Sequence, residues 1–175
     1  MRRGKPSVIF FVFAAISFMA VSGHAEVQLQ KIEWRLAKKT KGRPPRYETL
    51  SALKLEGENV PGRLLAKLTL FNRGPQPEEG ILLRYSVAAR LAPKNSSQGG
   101  IWAVSFMLDE RRIPKLGANQ VQEVPLELPM LGLYLIRIFR EGFKPLEIKI
   151  QVMLEPRQGQ TMPIKTLESI LALGS

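Results

Sequence analysis

Cysteine is absent from the chain, and histidine occurs once, as His24, inside an N-terminal segment that reads as a removable address. With no thiol or imidazole in the mature part, Ser-His-Asp and Cys-His catalysis are excluded. The ordinary ligand sets of a zinc site are excluded as well. Aspartate is nearly as scarce: of 15 acidic residues only Asp109 is one, so calcium loops built from clustered Asp and Asn are missing. Disulfides cannot form, although the compartment implied by the address permits them. Stability must then rest on burial, for which a mature chain of about 150 residues suffices to build one domain with a real core. These absences predict a protein that is not an enzyme and carries no cofactor.

Residues 1–25 read MRRGKPSVIFFVFAAISFMAVSGHA, with Arg2, Arg3 and Lys5 ahead of the uncharged apolar stretch 8–21 and small residues at Gly23 and Ala25. That is the three-part pattern of a cleavable secretory signal. The alternative, a retained anchor, is disfavoured because the apolar run of roughly 14 residues falls short of the ~20 that span a bilayer. Arg2 and Arg3 lack the continuation of a twin-arginine signal. No second spanning segment follows, so residues 26–175 are expected to form one soluble β-sandwich domain in the periplasm or outside the cell. The whole chain carries +11, and removing the three signal cations leaves +8 on the mature part. A basic surface favours anionic partners; solubility alone is the plainer explanation.

The clearest structural signal is period-2 alternation, which sends one face of a strand into a core and the other into water. In ILLRYSVAARL, Ile81, Leu83, Tyr85, Val87, Ala89 and Leu91 alternate with Arg84, Ser86 and Arg90. In LEIKIQVMLE, Leu146, Ile148, Ile150, Val152 and Leu154 alternate with Glu147, Lys149 and Gln151. Ala66, Leu68 and Leu70 form a further set, as do Trp102, Val104, Phe106 and Leu108. Val124, Leu126 and Leu128 give a strand that Pro125 and Pro129 mark as an edge. At the front, Val27 and Leu29 share one parity and Ile32, Trp34 and Leu36 the other, which predicts a bulge near Gln30 and Lys31. YETLSALKLE is a less regular strand. NRGPQPEEG is loop chemistry, with Asn72 and Gly74 tolerant of positive φ, and is expected to close a hairpin between two core strands. About seven short strands with turn signals between them predict an all-β, immunoglobulin-like antiparallel sandwich.

Two segments depart from the strand pattern. MLGLYLIRIFREGFKP is apolar on both strand faces, with Arg137 and Arg140 late and Gly142 as a stop, which predicts a short helix near 130–141 against a hairpin strand as the alternative. In the tail, about 160–175, Ile164, Leu167, Ile170 and Leu171 stand at helical spacing. A short C-terminal helix docked on the sandwich is expected there, or a frayed end.

LTLFNRG is similar to the strand and Asn-x-Gly opening of bacterial extracytoplasmic immunoglobulin-like modules of the CARDB, or cell-adhesion-related, type. VSFMLDERRIPKLGANQVQEVPLEL resembles their strand, turn, L-x-x-G and outward strand. The likeness covers about 66–128 and is carried by Asn72, Gly74, Leu116 and Gly117. The chain departs from it at Ala118 and Asn119, where those modules place Gly, and at GLYLIRIFREGF, where they end in a plain Gly-x-Tyr strand. The resemblance implies a non-catalytic adhesion or spacer module and names no ligand site.

The densest charge lies in RLAKKTKGRPPR: Arg35, Lys38, Lys39, Lys41, Arg43 and Arg46, with no acid among them. Gly42, Pro44 and Pro45 place it in an exposed loop. Near anionic lipid such residues contribute roughly 1 kcal/mol each, so this loop is the candidate site for lipid headgroups or acidic polysaccharide, the plain alternative being a solvated loop. Nucleic acid is disfavoured, because no aromatic residues interleave with the basic ones for base stacking. A hydrolase would need two carboxyls facing a cleft. The candidate pairs Glu56 with Glu58, Glu78 with Glu79, and Asp109 with Glu110 all read as turn acids, the last as a hairpin tip. Trp34 and Trp102 fall on apolar parities and are expected in the core rather than stacked on sugar. Asn95, Ser96 and Ser97 form a formal glycosylation triplet. The sequence thus predicts a binding, adhesion or envelope-structural module with a protein or anionic envelope partner. A periplasmic assembly factor working by β-strand augmentation is the rival, and an acid-pair glycosidase a remote one.

Overall fold

In a computed structural model the structure describes residues 26–38, 45–96, 99–156 and 163–174. The segment 1–25, expected to be a signal, and the loop positions Lys39, Lys41 and Arg43 lie outside the described residues. Among the described residues, ten strands and one helix follow in order. They are β1 (Val27–Lys38), β2 (Arg46–Leu50), β3 (Ala52–Lys54), β4 (Arg63–Asn72), β5 (Glu78–Pro93), β6 (Ile101–Trp102) and β7 (Met107–Leu116), then β8 (Val121–Glu127), α1 (Leu131–Arg140), β9 (Phe143–Glu155) and β10 (Lys165–Gly174).

The strands form two sheets. One is four-stranded in the order β2-β1-β4-β8; the other runs β3-β10-β9-β5, with β6 and β7 following one another along the far edge of β5. Every ladder is antiparallel except the short β10–β3 pairing, which is parallel. The fold is therefore an all-β sandwich, and the core is what alternation dictates. Ala66, Leu68 and Leu70 of β4 face Leu83 and Val87 of β5 and Ile148, Ile150 and Val152 of β9, none of them measurably exposed. The β1 ladder shifts register between Leu29 and Lys31, where the parity switch predicts a bulge. β8, with Pro125, is an edge as expected.

The helix forms where strand alternation fails. Leu131 and Leu135, one turn apart, are buried, while Arg137 and Arg140 occupy the last turn, where cations favour the helix dipole. Gly142, at φ 84°, takes the left-handed conformation that ends the helix.

Four expectations are corrected. The 73–77 loop does not close a hairpin: β4 and β5 belong to different sheets, and the loop carries the chain across the sandwich. Asn72 serves there through its side chain, since the one non-glycine residue at positive φ among those described is Asn119. The tail is a strand, β10, rather than a helix. Its inward positions include Lys165, whose Nζ donates to Val27 O at 2.9 Å, and Ser169, whose Oγ accepts from Trp34 Nε1 at 3.0 Å. Those polar inward residues hide the alternation and leave Ile170 outside, producing the helical spacing.

Trp34 is buried, but Trp102 stands on the outer face, 38% exposed. The chain leaves the ladder between β6 and β7, and Phe106 and Met107 turn inward in place of Trp102 and Leu108. Asp109 and Glu110 lie within β7, not at a tip.

Candidate functional site

The two outer faces of the sandwich differ in kind. On the four-stranded sheet the central outward residue is Lys67, nearly buried although charged. Cross-strand register brings Glu33 of β1 opposite it, and Glu123 of β8 lies on the other side. Lys67 Nζ sits 3.3 Å from Glu33 Oε2 and is hydrogen-bonded to Glu123 Oε1. Lys31 Nζ and Arg35 Nη2 add contacts to Glu33 of 2.8 and 3.1 Å. Arg63 pairs with Glu127 at 2.6 Å. This face satisfies its own charges.

The hydrogen bonds from Lys31, then Arg35 and Lys67, hold the Glu33 carboxyl down at about 2, and Lys67 also lowers Glu123. A carboxylate depressed in the fold stabilises it above its unfolded pKa, and that contribution is lost as pH falls from about 4.5 towards 2. Lys67→Met, which fills the same volume without a charge, is expected to make the acid limb of the stability profile shallower. Urea melts at pH 7 and pH 3 read this; an unchanged difference between the two would contradict the assignment.

Of the candidate basic cluster, Arg35 lies in β1 and is engaged by Glu33, so it is not free for a ligand. Lys38 and Arg46 take opposing positions in the β1–β2 ladder at the mouth of the loop.

The acid pairs do not converge. Asp109 and Glu110, adjacent on a strand, point to opposite faces. Tyr85 Oη lies 2.9 Å from Asp109 Oδ2 and 3.2 Å from Glu127 O, able to donate to either, and Glu110 is 3.6 Å from Arg112. Burial first, and Asp109 second, push the Tyr85 phenol upward. Glu79 pairs with Lys115 at 3.2 Å and Glu58 with Lys94 at 3.4 Å. Among the described residues no group of three or more His, Cys, Asp or Glu is placed to hold a metal ion. No helix among them is long and apolar enough to cross a membrane.

The outer face of the six-stranded sheet is open. Register alone assembles a trough of about 520 Å³ from four strands: Arg84 and Ser86 of β5, Leu108 of β7, Gln151 and Met153 of β9, and Thr166 of β10. Ser86 lies opposite Leu108 on one side and Gln151 on the other, while Arg84 lies opposite Met153. Tyr85, Asp109 and Glu110 also line it, so the trough is mixed, with amide, hydroxyl and carboxylate groups beside a thioether and an exposed leucine. Arg84 is drawn to its rim by Glu155 at 3.0 Å. One row away, Lys149 Nζ stands 4.9 Å from the Trp102 ring centroid. That cation occupies the ring face a sugar would need.

The alternations mark Arg84, Ser86 and Gln151 as outward in the sequence. Nothing in the sequence, however, signals that β5, β7, β9 and β10 bring them together.

No protein-family model matches the chain, and no curated protein matches it. Among solved structures it is similar to a β-glucosidase from Erythrobacter marinus, with 15% sequence identity and a TM-score of 0.37, over 86% of this chain and 16% of that one. The chain thus spans about a sixth of that enzyme's length, and a likeness at this score carries no argument about activity.

Proposed function

We propose that the protein is a non-catalytic, extracytoplasmic binding module of immunoglobulin-like type, and that its partner-facing surface is the outer face of the six-stranded sheet. The observation that carries the reading is the trough itself, since charges pair on both faces, through Lys67, Glu33 and Glu123 on one and Arg84–Glu155 and Arg90–Glu147 on the other. The six-stranded face presents an open hollow with mixed polar and apolar lining, the composition of a site that orients a partner by a few polar groups on an apolar base. Residues 1–25 support export to the periplasm or beyond.

Capture of partner strands by pairing with the edges β7 and β8 is disfavoured. β7 carries Asp109, Glu110, Arg111 and Arg112 on its exposed length, Pro114 offers no N–H, and the Glu110 N–H is already taken by Asp109 Oδ1 at 2.8 Å. β8 places Pro125 between glutamates. Charges and proline are the ordinary means of blunting an edge. The basic loop remains an accessory contact for an anionic envelope component, on the strength of its run of cations without an acid among them.

Capture from envelope extract tests the reading. Ser86→Tyr, which fills the trough, is expected to lose at least tenfold of the partner retained by the wild type, with an unchanged melting temperature. The variant with Lys38, Lys39, Lys41 and Arg43 changed to Ala is expected to lose only the salt-sensitive share. Full retention by Ser86→Tyr would move the site off this face.

A further inference from the structure

The stretch 101–108, IWAVSFML, contains no charged residue, yet it lies on the surface: Ile101 is 77% exposed, Val104 89% and Leu108 79%. Single exposed apolar residues are ordinary, but several in one uncharged stretch call for a partner. Around this corner the charge is one-sided. Arg90 is the cross-strand neighbour of Trp102, and Lys149 overlies the indole. Lys94 follows the end of β5, and its Nζ lies 5.4 Å from the ring centroid of Phe139, which brings the last turn of α1, with Arg137 and Arg140, to the same end. Lys144 stands opposite Ala92 on the neighbouring strand.

Acids are present there too: Glu147 pairs with Arg90 at 3.2 Å, Glu58 with Lys94 at 3.4 Å and Glu168 with Lys149 at 4.0 Å, while Glu141 caps the helix. Arg137, Arg140 and Lys144 remain without an ion pair among the described residues. An apolar tip beside paired cations, with three unpaired ones at the same end of the sandwich, is complementary to one kind of surface, an acyl interface beneath anionic headgroups. A sugar does not fit, because Lys149 covers the face of Trp102. A purely apolar peptide would leave the cations without a role.

We propose that this corner is a membrane-docking site: Ile101, Trp102 and Val104 seat in the interface of an anionic bilayer, while Arg137, Arg140 and Lys144 meet lipid phosphates. Long basic side chains reach a headgroup layer while their stems cover apolar surface, and indole is suited to the boundary between acyl chain and water. The site adjoins the trough at Leu108, but Ile101, Trp102 and Val104 lie outside the trough lining and carry the contact.

The experiment uses the protein as its host exports it, floated with vesicles of phosphatidylcholine alone or mixed with phosphatidylglycerol. Brominated lipids in the same vesicles report depth, and the readout is selective because Trp34 is 3% exposed whereas Trp102 is 38% exposed. Wild type is expected to bind the anionic vesicles and show quenching of Trp102. The double variant Ile101→Asp, Val104→Asp, at two surface positions that leave the core intact, is expected to bind about tenfold more weakly or worse. All variants share one N-terminus, so any contribution of that end cancels.

Equal binding to both vesicle types, absence of Trp102 quenching, or wild-type binding by the double variant would overturn the proposal. So would loss of vesicle binding only in the basic-loop variant, which would place the contact there. Ser86→Tyr is expected to bind vesicles like wild type, so this proposal and the trough can fail separately.

Discussion

Asn72→Ala is expected to lower stability by roughly 3 kcal/mol and the melting temperature by about 10 °C. Asn72 has no measurable exposure, and its amide joins three segments distant in sequence. Oδ1 accepts from Glu26 N at 3.2 Å and from Gly74 N at 3.0 Å. Nδ2 lies 2.7 Å from Gln76 O, 3.1 Å from Gly117 O and 3.3 Å from Leu116 O. Truncation strands several main-chain groups at once, each costing about 1–3 kcal/mol when buried without a partner, less whatever water re-enters. Asn72→Asp keeps the acceptor but sets a second oxygen against three carbonyls, so it is expected to be at least as damaging as Ala. Thermal and urea melts of both variants check this. An Asp variant close to wild type would show that the Nδ2 contacts contribute nothing.

The second large effect separates a strand from a helix at the C-terminal end. Leu171→Ala is expected to cost about 3 kcal/mol, within the range for a fully buried leucine, because Leu171 has no measurable exposure and lies opposite Ile148 in the β9–β10 ladder. Ile170→Ala, at a position 51% exposed on the outer face, is expected to change stability by less than about 0.5 kcal/mol. A docked helix would bury 164, 167, 170 and 171 together and make both changes costly. Comparable losses at 170 and 171 would therefore contradict the strand.

The parts of this fold legible in sequence are those whose pattern is local. Ile81, Leu83, Tyr85 and Val87 alternate without interruption, and β5 follows. The parity change after Leu29 marks a bulge, and Gly142 marks a helix end. What was not legible depends on partners far along the chain. Lys165 and Ser169 look like solvent positions until Val27 O and Trp34 Nε1 are found beside them, 138 and 135 residues away. Ser51 gives no sign that β2 and β3 enter different sheets, and the 73–77 loop gives none that it crosses the sandwich. Trp102 and Leu108 keep one parity across the break between β6 and β7, but that parity faces outward, so an apolar set on an open sheet face reads in the sequence like a core set.

The candidate site follows the same division. The cations of 35–46 are plain in the sequence as charge, but the pairing of Arg35 with Glu33 appears only in the outward register of β1. The trough owes everything to register. Ser86, Gln151 and Leu108 are unremarkable residues on three strands until the ladders set them side by side.

Site-specific photo-crosslinking in the host cell addresses the central claim most directly, that one face of the sandwich meets the partner and the other does not. A benzophenone side chain is placed at Ser86, in the trough, and in a separate chain at Val121, 59% exposed on the outer face of the four-stranded sheet. The account predicts a discrete adduct from position 86 and none from position 121. An adduct from 121 with none from 86 would contradict it.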